Sequence, residues 1–227
     1  MKYGNIIVFG ASSGVGLATA EFLKDSCDNL FTVSRRPSPF GTWLKTDLTK
    51  VEEIEDLQKR IGDIPIDALL YLGGTWETNA FTPDYNFENC SNQDIENVLN
   101  VNLLAPIRTI QKFIPNLKKS KNAKIVIIGA AVGGLNLNKS KEVSNTASKF
   151  GLRGLLFSLR QTLSQHRIGL TLINPGNLST DEVLNDLKNA GKDETHSIPL
   201  TDLLNILETV LNLSNRTNIN EIDLPNM

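Results

Sequence analysis

The sequence predicts one α/β domain: a parallel, doubly wound sheet with helices on both faces. Three observations carry that prediction. Strand-length apolar runs alternate with amphipathic helical stretches along the chain. The first such run, Ile6-Ile7-Val8-Phe9, passes straight into a glycine turn and then a helix. The chain has 227 residues, 40% of them hydrophobic, which suffices for one full core.

The elements follow in order. Asn5 to Phe9 reads as a buried strand, and Gly10-Ala11-Ser12-Ser13-Gly14-Val15-Gly16 as the turn. Leu17-Ala18-Thr19-Ala20-Glu21-Phe22-Leu23 continues at helical spacing. Leu30 to Val33 is the second strand, and Trp43-Leu44 leads to Asp47-Leu48 as a short third. Ala68 to Leu72, Ile125 to Ile128 and Leu170 to Ile173 are the fourth, fifth and sixth, with Glu221 to Leu224 as a last edge strand. Helices include Gln93 to Phe113, Asn145 to Gln165 and Asp202 to Leu213. Strands this continuously apolar belong to a sheet covered on both sides. The reading is a single Rossmann-type domain over residues 1–227. Ligands on such sheets sit at the carboxyl ends of the strands. Two irregular stretches follow strand ends, at about 73–91 and 177–199, placed to form a substrate loop and a lid.

Composition removes several function classes. Net charge is −2, and the one basic cluster, Lys118-Lys119-Ser120-Lys121, reads as a solvated helix end, so no nucleic acid partner is expected. Cys27, Cys90, His166 and His196 are isolated and match no metal spacing. No apolar run is long enough to span a bilayer, and Met1-Lys2-Tyr3-Gly4 enters the first strand at once. A cytoplasmic location is the expectation.

The glycine turn opens a helix whose unpaired N–H groups and positive dipole end suit a pyrophosphate. Glycine lets the backbone turn tightly and approach a ligand closely. The spacing is G-x-x-x-G-x-G. At the end of the second strand, an acidic residue would bind the adenosine ribose and select NAD. Here Ser34 is followed by Arg35 and Arg36, whose forks suit a phosphate. NADPH is therefore the expected cofactor.

These residues resemble the short-chain dehydrogenase/reductase family. Residues Gly10 to Gly16 look like its phosphate-binding turn, with Ser12, Ser13 and Val15 inside it, and Asp47-Leu48 like its adenine-contacting pair. Leu72-Gly73-Gly74 occupies the place of the family's Asn-Asn-Ala-Gly segment. Val101-Asn102-Leu103 is similar to the mid-chain helix asparagine that supports the active-site lysine, and Ala147-Ser148-Lys149 to the end of the catalytic helix motif. Asn174-Pro175-Gly176-Asn177-Leu178-Ser179-Thr180 resembles the segment that touches the nicotinamide, which implies contacts from Pro175, Gly176, Leu178 and Thr180. Lys149 would hold the nicotinamide ribose.

The resemblance implies a Ser-Tyr-Lys set that reduces carbonyls, with tyrosine one helical turn before lysine. Here that position is Asn145, and the three tyrosines are Tyr3, Tyr71 and Tyr85. The serine position falls in Gly129-Ala130-Ala131, so that hydroxyl is gone as well. Hydride delivered to a ketone makes an alkoxide that needs a matched acid, worth about 10²–10⁴-fold. Hydride delivered to the β-carbon of an enone or enal makes a delocalised enolate instead. A hydrogen-bond donor such as the Asn145 amide can stabilise that charge. The sequence thus favours carbon–carbon double-bond reduction. Tyrosine-less members of the family act in this way on cyclohexenyl or alkenal intermediates, in pathways of the bacilysin and aeruginosin kind, and Phe87-Glu88-Asn89-Cys90 looks like theirs.

Lys149, Asn102 and Asn145 are the candidate catalytic residues; Trp76, Ala130 and Asn145 are those for substrate. Asn145 either contacts substrate or caps its helix. Trp76, Phe81, Tyr85 and Phe87 either wall an apolar pocket or anchor the loop. Tyr85 and Glu77 are the nearby groups able to act as substitute acids. His166 falls at the end of the sheet away from the ligand, and His196 in the lid stretch. Three functions stay open: an NADPH-dependent double-bond reductase on a small molecule, an NADP-binding pseudoenzyme, and a non-redox isomerase or dehydratase. Pairing into a homodimer or homotetramer through the two long helices is expected from the family.

Overall fold

The computed structural model describes residues 3–131 and 140–227. Its strands are β1 (Tyr3–Phe9), β2 (Cys27–Ser34), β3 (Thr42–Lys45), β4 (Ala68–Tyr71), β5 (Lys124–Ile128), β6 (Gly169–Pro175) and β7 (Glu221–Leu224). They form one seven-stranded sheet in the order β3-β2-β1-β4-β5-β6-β7, and every neighbouring pair is parallel. The winding direction reverses between β1 and β4, so a crevice opens there at the carboxyl ends of the strands.

Alternate side chains of each strand feed two cores, because successive side chains of a strand point to opposite faces. Ile7, Phe9, Leu69, Tyr71, Ile125 and Ile127 face one layer, made by Leu57 and Ile61 of α2 (Val51–Ile61), Ile110 and Phe113 of α4 (Ala105–Leu117), and Leu152 and Leu156 of α5 (Val143–Thr162). Ile6, Val8, Ala68, Leu70 and Val126 face the other, made by Ala20 and Leu23 of α1 (Gly14–Leu23) and by Leu203, Leu207 and Val210 of α7 (Leu200–Asn212). Ile6 to Phe9 are wholly buried. Each such apolar side chain contributes roughly 1.5–3 kcal/mol relative to exposure. Phe9 stacks on Tyr71 and meets Phe113 edge-on, which ties β1, β4 and α4 together beneath the crevice.

Two stretches depart from the sequence expectation. The helix expected over Gln93 to Phe113 begins as α3 (Asn92–Leu99), passes through a π turn over Asn100–Leu104, and continues as α4 to Leu117. Pro106 lies two residues after that turn and has no N–H to donate into it, so the helix accommodates an extra residue there. The stretch 177–199, expected to be irregular, contains α6 (Asp181–Asn189). Thr180 caps it, accepting from the Val183 N–H at 3.4 Å, and Asp181, Glu182 and Lys188 complement its dipole. Only Val183, Leu184 and Leu187 in it are apolar, which hides the helix; the caps reveal it. Loop 73–91 has only the short 3₁₀ turn Phe87–Asn89. No helix among the described residues is long and apolar enough to cross a membrane.

Candidate active site

The glycine turn is required by geometry at three separate atoms. Gly10 has φ 84°, and a Cβ on it would lie 2.5 Å from Gly73 Cα. A Cβ on Gly16 would lie 2.2 Å from the Gly10 carbonyl oxygen. Gly14 has φ 52° and faces the Thr180 methyl, which a Cβ would meet at 3.6 Å. The contacts at Gly10 and Gly16 leave room for glycine alone, and at Gly14 the positive φ favours it. Ser13, at the N-cap of α1, is extended and makes no side-chain cap, and the first turn of α1 carries no acid. The leading N–H groups of α1 are therefore open to an anionic ligand. Val15 packs on the core behind the turn.

The end of β2 supplies cations to the same turn. Ser34 is buried and its hydroxyl donates to the Arg36 carbonyl at 2.6 Å, which closes the bend that presents Arg35 and Arg36. The exposed Arg36 guanidinium donates to the Ser13 hydroxyl at 3.4 Å. Burial works to raise the Asp47 carboxyl, but hydrogen bonds from the Thr49 N–H and hydroxyl, with Arg35 and Lys50 nearby, hold it below the usual range. Leu48 packs partly against the core. A phosphate-sized anion beside Ser13 would find the Arg36 guanidinium, with Arg35 next to it in the chain, a donor set that fits a 2′-phosphorylated dinucleotide.

The chemical end of the site is organised by one asparagine. Asn102, in the π turn and buried, accepts from the Thr75 N–H at 2.8 Å and donates to the Thr75 carbonyl at 2.7 Å. Reversing this amide would set carbonyl against carbonyl, so its orientation is fixed. The same Nδ2 lies 3.3 Å from Asn145 Oδ1 and 3.2 Å from Ser148 Oγ. One hydrogen of that Nδ2 goes to the Thr75 carbonyl and the other is shared between these two oxygens, which favours the Asn145 oxygen toward Asn102; the Asn145 Nδ2 has no hydrogen-bond partner among the described residues. π turns often mark functional sites; here the turn places Asn102 where it reads the backbone of the β4 loop and sets the next amide in turn.

Lys149 stands one helical turn from Asn145. It is 9% exposed, and its Nζ donates to the Ile128 carbonyl at 3.3 Å. Burial lowers its ammonium from 10.5 to about 8. A Cβ on the exposed Gly74 would sit 3.6 Å from both Lys149 Nζ and Asn102 Oδ1, so the amine lies against the open mouth of the crevice. A Cβ on Gly129 would lie 2.1 Å from Asn174 Oδ1, so a side chain there must displace an amide that Glu221 and Asp223 hold. Ala130, the next residue, is half-buried. Pro175 ends β6, Gly176 donates to the Leu224 carbonyl, and Leu178 is buried and bridges to Ile198.

The substitute acids are engaged elsewhere. Glu77 is buried, and its Oε1 accepts from the Ser144 and Asn145 N–H groups at 2.6 and 3.1 Å, capping α5 from a distant loop. Its Oε2 is buried with no partner among the described residues. The Tyr85 hydroxyl accepts from the Val143 N–H at 3.1 Å; burial, with Glu77 and Cys90 nearby, pushes the phenol above its ordinary value. Tyr71 donates to the Val101 carbonyl inside the π turn, and burial pushes its phenol up further. Tyr3 donates to Asn212. Glu77, Tyr85 and Ser148 thus hold the first turn of α5, a role that sequence spacing does not disclose.

Trp76 and Phe81 remain exposed at 44% and 60%, edge to face at 5.9 Å. Phe81 takes φ 63°, held by its N–H to the Glu142 carboxylate at 2.8 Å. They pack on each other, and the loop is anchored by its polar side chains. His166 lies exposed before β6, and His196 pairs with Asp193 in the stretch after α6. A cavity of about 370 Å³ lined by Thr78, Asn86, Cys90 and Asp94 takes in none of the candidate residues. Among the described residues no group of His, Cys, Asp or Glu could hold a metal ion.

Comparison with known proteins converges on one family. The short chain dehydrogenase model matches residues 4–190. The chain is 28% identical over 191 residues to the short chain dehydrogenase adrF of Penicillium roqueforti, covering 77% of this chain and 70% of that protein. It is 25% identical over 185 residues to the 3-ketodihydrosphingosine reductase of Bacteroides thetaiotaomicron, covering 77% and 64%. A short chain dehydrogenase from Shigella flexneri, solved with NADP, superposes with TM-score 0.84 at 20% identity over 98% and 97% of the two chains. One from Francisella tularensis superposes with TM-score 0.81 at 19% identity over 100% and 98%.

Proposed function

We propose, for a chain that belongs to the short chain dehydrogenase family and is an oxidoreductase of that type, a narrower function: NADPH-dependent reduction of a conjugated carbon–carbon double bond in a small enal or enone. The observation that carries this reading is the amide of Asn145. At the place where the family has a proton-giving phenol, this chain has a group that can only donate a hydrogen bond. Such a group stabilises an enolate oxygen and gives up no proton to an alkoxide.

The cofactor reading rests on the glycine cradle, the open terminus of α1, and Arg36 beside Ser13 with Arg35 next to it in the chain. The NADP complex of the same fold supports it. When bound, NADPH supplies the hydride. The chain's own residues position the substrate oxygen at Asn145 Nδ2, hold positive charge nearby at Lys149, and wall the mouth with Trp76. The stretch 177–199 would act as the lid. Val143, Phe150 and Phe157 recur seven residues apart on α5 and stay exposed, as do Leu104 and Ile107 at the start of α4. Pairing of copies through these helices belongs to the same reading, with a cytoplasmic location, and a light-scattering mass of one chain would remove it.

The test is a substrate panel. Purified protein with NADPH is expected to oxidise the cofactor with 2-cyclohexen-1-one or 2-hexenal at rates at least ~100-fold above cyclohexanone. Arg35→Asp is expected to weaken NADPH about tenfold or more while leaving NADH nearly unchanged, read by fluorescence titration. Equal rates on enone and ketone would overturn the reaction. Tight NADPH binding without any turnover would favour the pseudoenzyme.

A further inference from the structure

We propose that Asn226 is a positioning residue for the cofactor: its amide clamps the two ends of the stretch 177–199 and so holds residues 178–180 ready for the nicotinamide half of NADPH. This rests on the cofactor reading above, in which Leu178 and Thr180 meet the nicotinamide, and on no choice of substrate.

The clamp is one side chain that reads two backbone groups. Asn226, two residues past β7, accepts from the Asn177 N–H at 2.9 Å through Oδ1 and donates through Nδ2 to the His196 carbonyl at 3.2 Å. Turning the amide over would set its NH2 against an N–H and its carbonyl against a carbonyl, so one orientation satisfies both partners. A Cβ on Gly176 would lie 2.1 Å from that Oδ1, so the amide occupies space that the glycine leaves open. The Gly176 N–H donates to the Leu224 carbonyl at 2.7 Å, which holds the end of β7 alongside.

Asn177 opens the stretch and His196 stands near its end. Beside the clamp the stretch closes on itself. The Ile198 N–H donates to the Asn177 carbonyl at 2.7 Å, and the Ser179 N–H to the Ile198 carbonyl at 2.8 Å. The Ser179 and Ser197 hydroxyls meet at 2.8 Å, and Leu178 is buried in the core. Thr180 then caps α6, and its methyl lies 3.6 Å from where a Cβ on Gly14 would be. Residues 178–180 thus stand across the crevice from the glycine turn, at the base of the loop that Asn226 ties. His196 and Asn226 both fall beyond residues 4–190, the span that matches the family.

A segment ordered before the ligand arrives loses no further freedom at binding. With the clamp released, the base of the loop opens and each binding event must order it again. The loss falls on the half of the cofactor that residues 178–180 touch. The 2′-phosphate end, at Ser13 and Arg36, is held by other elements.

The experiment compares wild type, Asn226→Ala and Asn226→Asp. NADPH and adenosine 2′,5′-bisphosphate, which carries the phosphate end without the nicotinamide, are titrated separately by calorimetry. Asn226→Ala removes two hydrogen bonds and is expected to weaken NADPH about tenfold. The bisphosphate is expected to change less than about twofold, because it binds away from the clamp. Aspartate still accepts from the Asn177 N–H but offers the His196 carbonyl no donor. A clamp needs both ends, so Asn226→Asp is expected to lose as much as alanine. Hydrogen exchange read by mass spectrometry, which needs no ligand, is expected to quicken about tenfold over 177–198 in both variants and to stay unchanged in β1 and α1. Equal weakening of both ligands, as a general loss of stability would give, overturns the proposal alone. So does wild-type NADPH affinity in either variant, or unchanged exchange over 177–198. Failure of the wild type to bind NADPH and the bisphosphate overturns the cofactor reading and this proposal with it.

Discussion

Replacing Ala130 by Ser and Asn145 by Tyr in one chain is expected to raise turnover of a plain ketone such as cyclohexanone by about 10²–10⁴-fold. The two changes restore a carbonyl-holding hydroxyl and a phenol one turn before Lys149, where burial already lowers the amine. The serine is placed at 130, because at 129 a side chain must displace the Asn174 amide that Glu221 and Asp223 hold. Ala130 is half-buried beside that glycine. Either single substitution is expected to recover much less, since the two groups act on one oxygen as a unit. Steady-state kinetics with NADPH measure the gain. A double variant that binds NADPH, melts cooperatively and still leaves ketones untouched would show that the two missing groups are not what narrows the chemistry.

Asn102→Asp is expected to lower enone turnover by about 10²–10³-fold, although the side chain keeps its shape. The wild-type Nδ2 holds the Thr75 carbonyl at 2.7 Å and the Asn145 oxygen at 3.3 Å. An aspartate has only acceptors to offer both. Asn145 then rotates its Nδ2 toward the new carboxylate and shows its oxygen to the substrate, so the donor becomes a repeller. The Thr75 carbonyl also loses its partner, at a cost of about 1–3 kcal/mol for a buried polar group. Kinetics, NADPH titration and a thermal melt together check this. A variant destabilised in the melt with kcat unchanged would remove Asn145 from the reaction.

Much of the fold is legible in the sequence. Ile6 to Phe9 are apolar without alternation because β1 lies inside the sheet, between β2 and β4, and Gly10 and Gly16 are fixed by contacts with Gly73 and with each other. Glu221 to Leu224 pairs at the edge as its short run suggests. The site was legible where neighbours in sequence act together, as Asn145 and Lys149 do on one helical face. It was illegible where the partner is distant in the chain. Nothing near Asn102 says that it reads the Thr75 backbone, and nothing near Glu77 says that it caps a helix 67 residues away. Ser34 has the composition of a ribose contact, yet its hydroxyl turns inward to the Arg36 carbonyl. Helix α6 was missed because its signal lies in Thr180 and two flanking acids, and its apolar face is thin.

The first turn of α5 owes its end groups to Glu77 and Tyr85, both borrowed from the stretch between β4 and α3. A segment that shapes selectivity and a helix that presents reactive groups therefore cannot be exchanged independently. Grafting a foreign loop here without an acid at position 77 would strip the donors at residues 144 and 145 and loosen the very backbone that aims Asn145. Diversification of this scaffold is channelled: new specificities arise by changing the exposed aromatic rim, Trp76 and Phe81, while the acid beneath stays in place.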